Sequence, residues 1–397
     1  MNICREPLGE GEISITPFQG LKRLESLQEA WNAITADMTR KSFCHLWEWY
    51  HSYLRCMAPD PNAVMFFLFM KGETPVALLP LQFTFVSLGG LKLKALAFPS
   101  HNHLLLCDLI CRDDALHLPL FPLFIDYLKS RNVPCDLIEL PHLVEGSNAI
   151  QTIHNHPFPR FLLKPEGGCD FLNTTETYEA FLAALSKNLR GSLKQAKKCL
   201  DELSEVEFAF TQEESDLEAR LDAFLDVEAS GWKGALGSGT AIKMDPSLEC
   251  FYRNLVRSLA ASGRMSINTL TAEGKCIAAQ FCITLDNTVY ILKIGYDEAY
   301  KREAPGNLLL AFFVKKCIED GVIDNINLVT DAEWHRRWRT KQLNKSTLYV
   351  FNATPAGLIG FALLKSQQRL KKYYRAYIQP HLPQWVQILI RKLPHES

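Results

Sequence analysis

The sequence predicts a mixed α/β fold of two related domains, and three observations carry that prediction. Apolar runs of strand length alternate with helical patterns along the whole chain. A strand, charged glycine turn, strand layout in FFLFMKGETPVALLPLQF recurs in SINTLTAEGKCIAAQFCITL, with Gly72 and Gly274 about 200 residues apart. Near Lys293 an apolar strand, VYILKIGYD, runs into a polar loop that closes on Pro305-Gly306, and a long apolar helix starts there.

In chain order, helical patterns come first, at LESLQEAWNAITADM and FCHLWEWYHSYLRCM. Strand-like runs follow at AVMFFLFM, PVALLPLQFTFV and LKLKALAF, then a helix at PLFPLFIDYLKSR and a strand at CDLIEL. The second half repeats this grammar. A strand at GGCDFL leads to helices over Tyr178–Leu203, Leu217–Ser230 and Leu248–Ser262. Strands follow at MSINTLTA, CIAAQFCITL and TVYILKIGY, then the Pro-Gly helix, strands at NINLVT and LYVFN, and a basic helix from Leu358 toward Tyr377. The expected division is one cut, giving domains 1–165 and 166–397.

The 397 residues suffice for two cores. A net charge of -1 gives no whole-chain case for DNA. The twelve cysteines are scattered and none has CxxC spacing, so reduced thiols are expected. The opening MNICREPLGEGEIS carries acids and lacks an apolar core segment, which reads as no secretory signal and a cytoplasmic location. No apolar run approaches the roughly 20 residues of a membrane span.

The Pro305-Gly306 junction reads as an anion seat. A strand that hands over to a helix leaves backbone N–H groups and the positive end of the helix dipole facing the loop. Gly306 leaves room for close approach. With no Walker-type lysine, the seat suggests a nucleotide-like group carrier such as coenzyme A. Lys293, Tyr296, Pro305, Gly306 and Asn307 are the candidate residues on that side.

Further candidates stand on either side of it. EASGWKGALGSGTAI places Glu228 at a helix end before Trp232, Lys233 and a Gly/Ser-rich loop, which reads either as a substrate wrap or as a surface loop with an anchored Trp. Lys187, Arg190, Lys194 and Lys198 share a helix face, and either bind phosphates of an acceptor or of RNA or are simply solvated. Trp334-His335-Arg336-Arg337-Trp338 follows Asp331 and suits a substrate-contact loop, with His335 as a base or as a structural histidine. His101 and His103 lie near Asp108 without metal-ligand spacing, so no metal is expected. The chain has no GxSxG, HExxH, P-loop or GxGxxG, which weakens hydrolase, zinc protease, NTPase and dinucleotide readings.

Taken together, the basic helix, ExxxWKG, the EGKCIA hairpin, LKIGYDE with its Pro-Gly helix and the aromatic–basic loop resemble one family. They are similar to the GNAT-type acyltransferases of the CelD/BioF2-like group, relatives of the FemAB transferases, over about Ser186 to Thr340. FCHLWEWY, VALLPLQF and HNHLLLCD extend the likeness weakly into the first half. The resemblance implies two tandem GNAT folds and transfer of an acyl group from acetyl-CoA or another acyl-CoA to an amine, with no permanently bound cofactor. It implies a small-molecule or glycan-precursor acceptor related to the cell envelope or polysaccharide. Glu228, Asp297 and His335 are then the candidates for proton acceptor, and Arg190, Trp232, Lys233, Trp334 and Trp338 for acceptor contact. Relatives commonly carry Tyr-Lys-x-x-Trp where this chain has Trp334-His335-Arg336-Arg337-Trp338, so the aromatics survive and the lysine does not. Aminoacyl transfer from charged tRNA and a non-catalytic binding role in polysaccharide assembly are the alternatives. The C-terminal LKSQQRLKKYYRAYIQPHLPQWVQILIRKLP is either a packed helix with a basic outer face or a segment that rests peripherally on the inner membrane surface.

Overall fold

The computed structural model describes residues 11–382, apart from 204, 232 and 236. Along the chain run β1 (Ile13–Gln19), α1 (Gly20–Glu25), α2 (Gln28–Ala36), α3 (Trp47–Cys56), β2 (Val64–Lys71), β3 (Thr74–Leu88), β4 (Leu91–Ala97) and β5 (Ile110–Cys111). Next come α4 (Leu120–Ser130), β6 (Leu137–Val144), α5 (Asn148–Asn155), β7 (Phe161–Asn173), α6 (Tyr178–Ala184), α7 (Lys187–Leu203), β8 (Val206–Thr211), α8 (Glu214–Ala229) and α9 (Pro246–Leu259). The chain closes with β9 (Met265–Ala272), β10 (Lys275–Leu285), β11 (Thr288–Tyr296), α10 (Pro305–Asp320), β12 (Asn325–Asn327), β13 (Lys341–Phe351) and α11 (Pro355–Tyr373).

Two compact units form, each discontinuous in sequence. The first holds residues 11–18, 63–167 and 344–382, and the second holds 19–62 and 168–343. A single cut at 165/166 does not reproduce them. In the first unit β13 pairs with β6, which brings the C-terminal stretch in. In the second, Trp49 packs edge-on against Phe251 at 5.1 Å, which anchors the early helices.

Within the first unit the strand order is β1-β2-β3-β4-β6-β13, with β5 on β3. The β2/β3, β3/β4 and β6/β13 pairs are antiparallel and β4/β6 is parallel. A parallel pair needs a crossover, and α4 lies between β4 and β6 in sequence to supply it. Phe67, Phe69, Phe121 and Phe124 fill the core under it.

The second unit repeats the plan in the order β8-β9-β10-β11-β12-β7. Its β8/β9, β9/β10, β10/β11 and β12/β7 pairs are antiparallel, and β11/β12 is parallel across α10. The expected internal repeat is thus present as a repeated topology. Gly72 (φ 59°) and Gly274 (φ 73°) turn equivalent hairpins, β2/β3 and β9/β10, in a left-handed conformation that suits glycine. The apolar helix α10 buries Leu308, Leu309, Leu310, Phe313 and Val314 in the core of this unit and stops at Gly321.

Most expected elements form, with local differences. The first helical pattern is two short helices, and Tyr178–Leu203 breaks at Leu185-Ser186 into α6 and α7. The strand expected over 325–330 ends at Asn327, because Val329 takes a left-handed φ of 64°. The expectation of wholly reduced cysteines is also corrected. Helices α3 and α9 pack together, bring the Cα atoms of Cys56 and Cys250 to 5.6 Å, and a disulfide joins them. That pairing spans 194 residues and leaves no trace in local spacing. No described helix is long and apolar enough to cross a membrane.

Candidate functional site

The second unit gathers the chemistry around the far end of β11. This strand pairs with β12 only at Thr288–Tyr290, and then continues alone on that side to Tyr296. Against β10, Phe281 faces Lys293 while Cys282 faces Ile291, so Leu292 is an extra residue. Such a bulge bends the strand and re-aims the next side chain, which here is Lys293.

Lys293 is half-buried. Burial, and after it the neighbouring Lys233 charge, lower its ammonium to about 8 against the opposing charge of Glu228. Glu228 itself is buried at the end of α8. Its Oε1 accepts from Lys233 Nζ at 2.9 Å and its Oε2 from the Ile242 N–H at 2.9 Å. Both carboxylate oxygens are therefore engaged, so Glu228 acts as a fixed negative anchor for two lysines. Gly295 is what lets α8 come this close. A Cβ there would stand 2.8 Å from the Glu228 Cα and 3.0 Å from its N.

Asp297 begins the loop after β11. It accepts from Lys275 Nζ at 2.6 Å and from the Ala299 N–H at 2.9 Å. Burial alone would raise its carboxyl, but these two bonds and the Lys275 charge outweigh it and hold the group below the usual range. Asp297 thus caps the 298–303 turn, an anchoring position rather than that of a free base.

The anion seat is narrower than the sequence suggests. Pro305 has no N–H to give, and the Asn307 N–H turns back to the Ala304 carbonyl at 3.0 Å. Half-buried Gly306 is left as the first-turn N–H with no bond to a described residue. A Cβ on Gly306 would meet only Tyr296, at 3.8 Å, so nothing in the protein forbids a side chain there. Ala304 holds the entry in a left-handed conformation at φ 46°. Helix α7 packs against both α10 and the 298–303 turn.

The remaining candidates split. Lys187, Arg190 and Lys194 lie exposed on α7 with no ion pair among the described residues, whereas Lys197 and Lys198 pair with Asp201 and Glu202. Arg339 reaches the Ala184 carbonyl at 3.1 Å, which ties the aromatic–basic turn 333–338 to the start of α7. On that turn Trp334 is exposed and Trp338 is a core residue. His335 is buried, with its Nδ1 at 2.9 Å from Asp170 Oδ2, while Gln342 Nε2 donates to Asp170 Oδ1 at 3.0 Å. Burial pushes His335 below its ordinary range, and Asp170 and the Thr330 backbone oppose that. It is a braced internal histidine. Trp232 lies outside the described residues, as do residues 383–397 of the C-terminal segment. The rings of His101 and His103 are tilted to one another at 5.5 Å in the first unit, and no metal-ligand cluster occurs among the described residues.

The structure thus brings together Glu228, Lys233 and Lys293, with Tyr296 and Gly306 one step along the loop. Trp334 and His335 lie on the 333–338 turn with ring centroids 4.2 Å apart, and Arg190 is on α7. Gly295, Lys275, Asp170 and the Ile242 N–H were missed, because their roles come from packing across elements distant in sequence.

Comparison with known proteins agrees with this geometry. The family model described as an acetyltransferase (GNAT) domain matches residues 187–337. No curated protein sequence matches the chain. Among solved structures, FemX is similar at a TM-score of 0.53 and 9% identity, covering 84% of this chain and 97% of that one. A conserved protein of unknown function from Bacteroides thetaiotaomicron is similar at a TM-score of 0.50 and 13% identity, covering 82% and 97%. A tandem GNAT protein from the clavulanic acid biosynthesis pathway aligns at a TM-score of 0.44 and 11% identity, covering 87% and 99%. At such identities the likeness to FemX and to the Bacteroides thetaiotaomicron protein is one of fold. The second unit thus contains the stretch that matches the acetyltransferase (GNAT) domain model, and the chain shares its fold with FemX.

Proposed function

We propose that the protein is an acyltransferase that moves an acyl group from an acyl-CoA thioester to an amine, with Lys293 as its central polar residue. The observation that carries this reading is the parting of β11 from β12 beyond Tyr290, together with the bulge that turns Lys293 and the Gly306 N–H at the head of α10. A parted strand offers unpaired backbone groups to an extended donor, and a helix N-terminus favours its phosphates. The Pro305–Asn307 turn is the donor side.

Transfer needs a neutral amine nucleophile and a stabilised tetrahedral oxyanion. A lysine near pH 8 is partly neutral under working conditions, so Lys293 suits uptake of the acceptor's proton, directly or through water. Glu228 bonds Lys233, and its charge opposes the lowering of Lys293. Asp297 and His335 are assigned to bracing. The acceptor class that best suits the family likeness is a glycan precursor or another small cell-envelope amine.

The exposed Lys187, Arg190 and Lys194 favour a second reading, aminoacyl transfer from a tRNA-borne donor. Donor competition separates the two. Acetyl-CoA turnover that uncharged tRNA leaves unaffected supports the first, and strict dependence on charged tRNA supports the second.

A further inference from the structure

The first unit carries its own group of titratable side chains where β6 runs past its partner. β4 pairs with β6 only at Leu137–Glu139, and β6 continues to Val144. Against β13, Ser346 faces Leu143 and Leu348 faces Leu140. Pro141 and His142 together therefore stand opposite Thr347, a bulge like the one that turns Lys293 in the second unit. His142 takes a left-handed φ of 59°, a conformation that few non-glycine residues adopt.

The strained residue is also the one with an open nitrogen. His142 Nδ1 lies 2.9 Å from Glu166 Oε2, with 37% of the His142 side chain exposed and 22% of the Glu166 side chain. Thr347 Oγ1 donates to the other Glu166 oxygen. His142 Nε2 has no hydrogen-bond partner among the described residues. A ring that gives its Nδ1–H to a carboxylate presents a lone pair at Nε2. On the paired stretch of β6, Glu139 accepts from Tyr349 across β13.

The two carboxylates are pushed in opposite directions. Burial raises Glu139 above the usual range. Burial would raise Glu166 as well, but its bonds to His142 and Thr347 outweigh it and hold the group below. Lys164 faces Glu139 and Lys345 faces Glu166, and buried Cys107 also senses the Glu166 charge. Carboxylates divided in this way around an imidazole are the arrangement that acid–base chemistry uses.

We propose that His142 and Glu166 form a second proton-transfer site, in which His142 Nε2 takes the proton of a hydroxyl or amine on a small bound molecule. Glu166 is the positioning residue. The proton moves from the ligand oxygen or nitrogen to Nε2, the Nδ1–H stays on the ring and hydrogen-bonded to Glu166 Oε2, and the ligand keeps the electron pair of the broken O–H or N–H bond. The site is distinct from the acyl-donor side of the second unit and does not depend on it.

The test uses the full chain and p-nitrophenyl acetate as probe. An open Nε2 attacks the ester carbonyl, p-nitrophenolate leaves, and water returns the imidazole by releasing acetate. Carbethoxylation by diethyl pyrocarbonate, mapped by peptide mass, gives a residue-specific rate, with exposed His117 and His154 as internal references. We expect His142 to be modified faster than either, and Glu166→Gln to slow it about tenfold. His142→Asn, which tolerates the left-handed backbone, should remove the excess esterase rate while leaving the melting temperature within about 2 °C. A merely structural pair would leave all three proteins at one esterase rate and His142 no more reactive than His117, and that result overturns the proposal. Thr347→Val serves as a second variant should Glu166→Gln fold poorly, and a His142 rate unchanged in it is equally contrary.

Discussion

Gly295 lies flat against Glu228. A Cβ at position 295 would stand 2.8 Å from the Glu228 Cα, so β11 and α8 touch backbone to backbone just where Lys293, Lys233 and Glu228 meet. The absence of one side chain thus sets the spacing of the charged group.

Gly295→Ala should therefore cost about 1–3 kcal/mol, since neither neighbour is a flexible side-chain tip. It should also weaken transfer more than donor binding, because Lys293 moves with the strand. Chemical denaturation measures the first and a kcat against KM comparison the second. An unchanged unfolding midpoint would show that the contact relaxes freely.

The Lys293 ammonium is depressed in the folded protein to about 8, from 10.5. Between those values the unfolded chain binds more protons, so this group makes stability rise with pH across about 8 to 10.5. Below 8 both states are protonated and the cost of the half-buried charge is constant. Lys293→Met should then stabilise the protein at pH 7 by about 1–3 kcal/mol, with the gain shrinking toward pH 10. It should also abolish the rise of transfer rate near pH 8. A pH-independent difference in melting temperature would contradict this placement.

His335 is depressed below its ordinary 6.5 by burial. The unfolded chain takes up the proton first as pH falls, so the stability this residue contributes is present above about 6.5 and is lost below it. His335→Gln should flatten the fall in melting temperature between pH 7 and 5. Asp170→Asn removes the charge that opposes burial and should cost about 1–3 kcal/mol at pH 7. An unaltered acid limb in His335→Gln would mean that other groups set it.

The Cys56–Cys250 bond closes a long loop, 194 residues in separation. Chain entropy puts its contribution at about 5 kcal/mol in the unreduced protein. Cys250→Ser should lower the melting temperature without reductant and match the wild type with it. Equal melting in oxidising buffer would show that the bond does not form in solution.

Much of the fold was legible because it is written in local periodicity. The long apolar α10, the hairpins on Gly72 and Gly274 and the strands β9 to β11 all follow from pattern and turn chemistry. Which segments join which unit was not legible. β13 follows β12 in sequence yet completes the first unit beside β6, and residues 19–62 belong to the second. Those choices rest on pairing and packing between distant segments. The site divides the same way. Lys293, Glu228 and Lys233 were readable as residue types on a strand and a helix end. The bulge at Leu292 that turns Lys293 and the brace of His335 on Asp170 arise only from tertiary contacts.

We propose that an acyl-CoA donor sits against Gly306. The most direct measurement is a thermal-shift titration with acetyl-CoA, longer acyl-CoAs and free CoA, on wild type, Gly306→Ala and Gly306→Trp. Because a Cβ at 306 meets only Tyr296 at 3.8 Å, all three proteins should fold alike without ligand. A saturable shift in the wild type, equivalent to about 2.7 kcal/mol at a hundredfold excess over Kd, should weaken in Gly306→Ala and vanish in Gly306→Trp. A shift that persists undiminished in Gly306→Trp, or none with any CoA species, would contradict it.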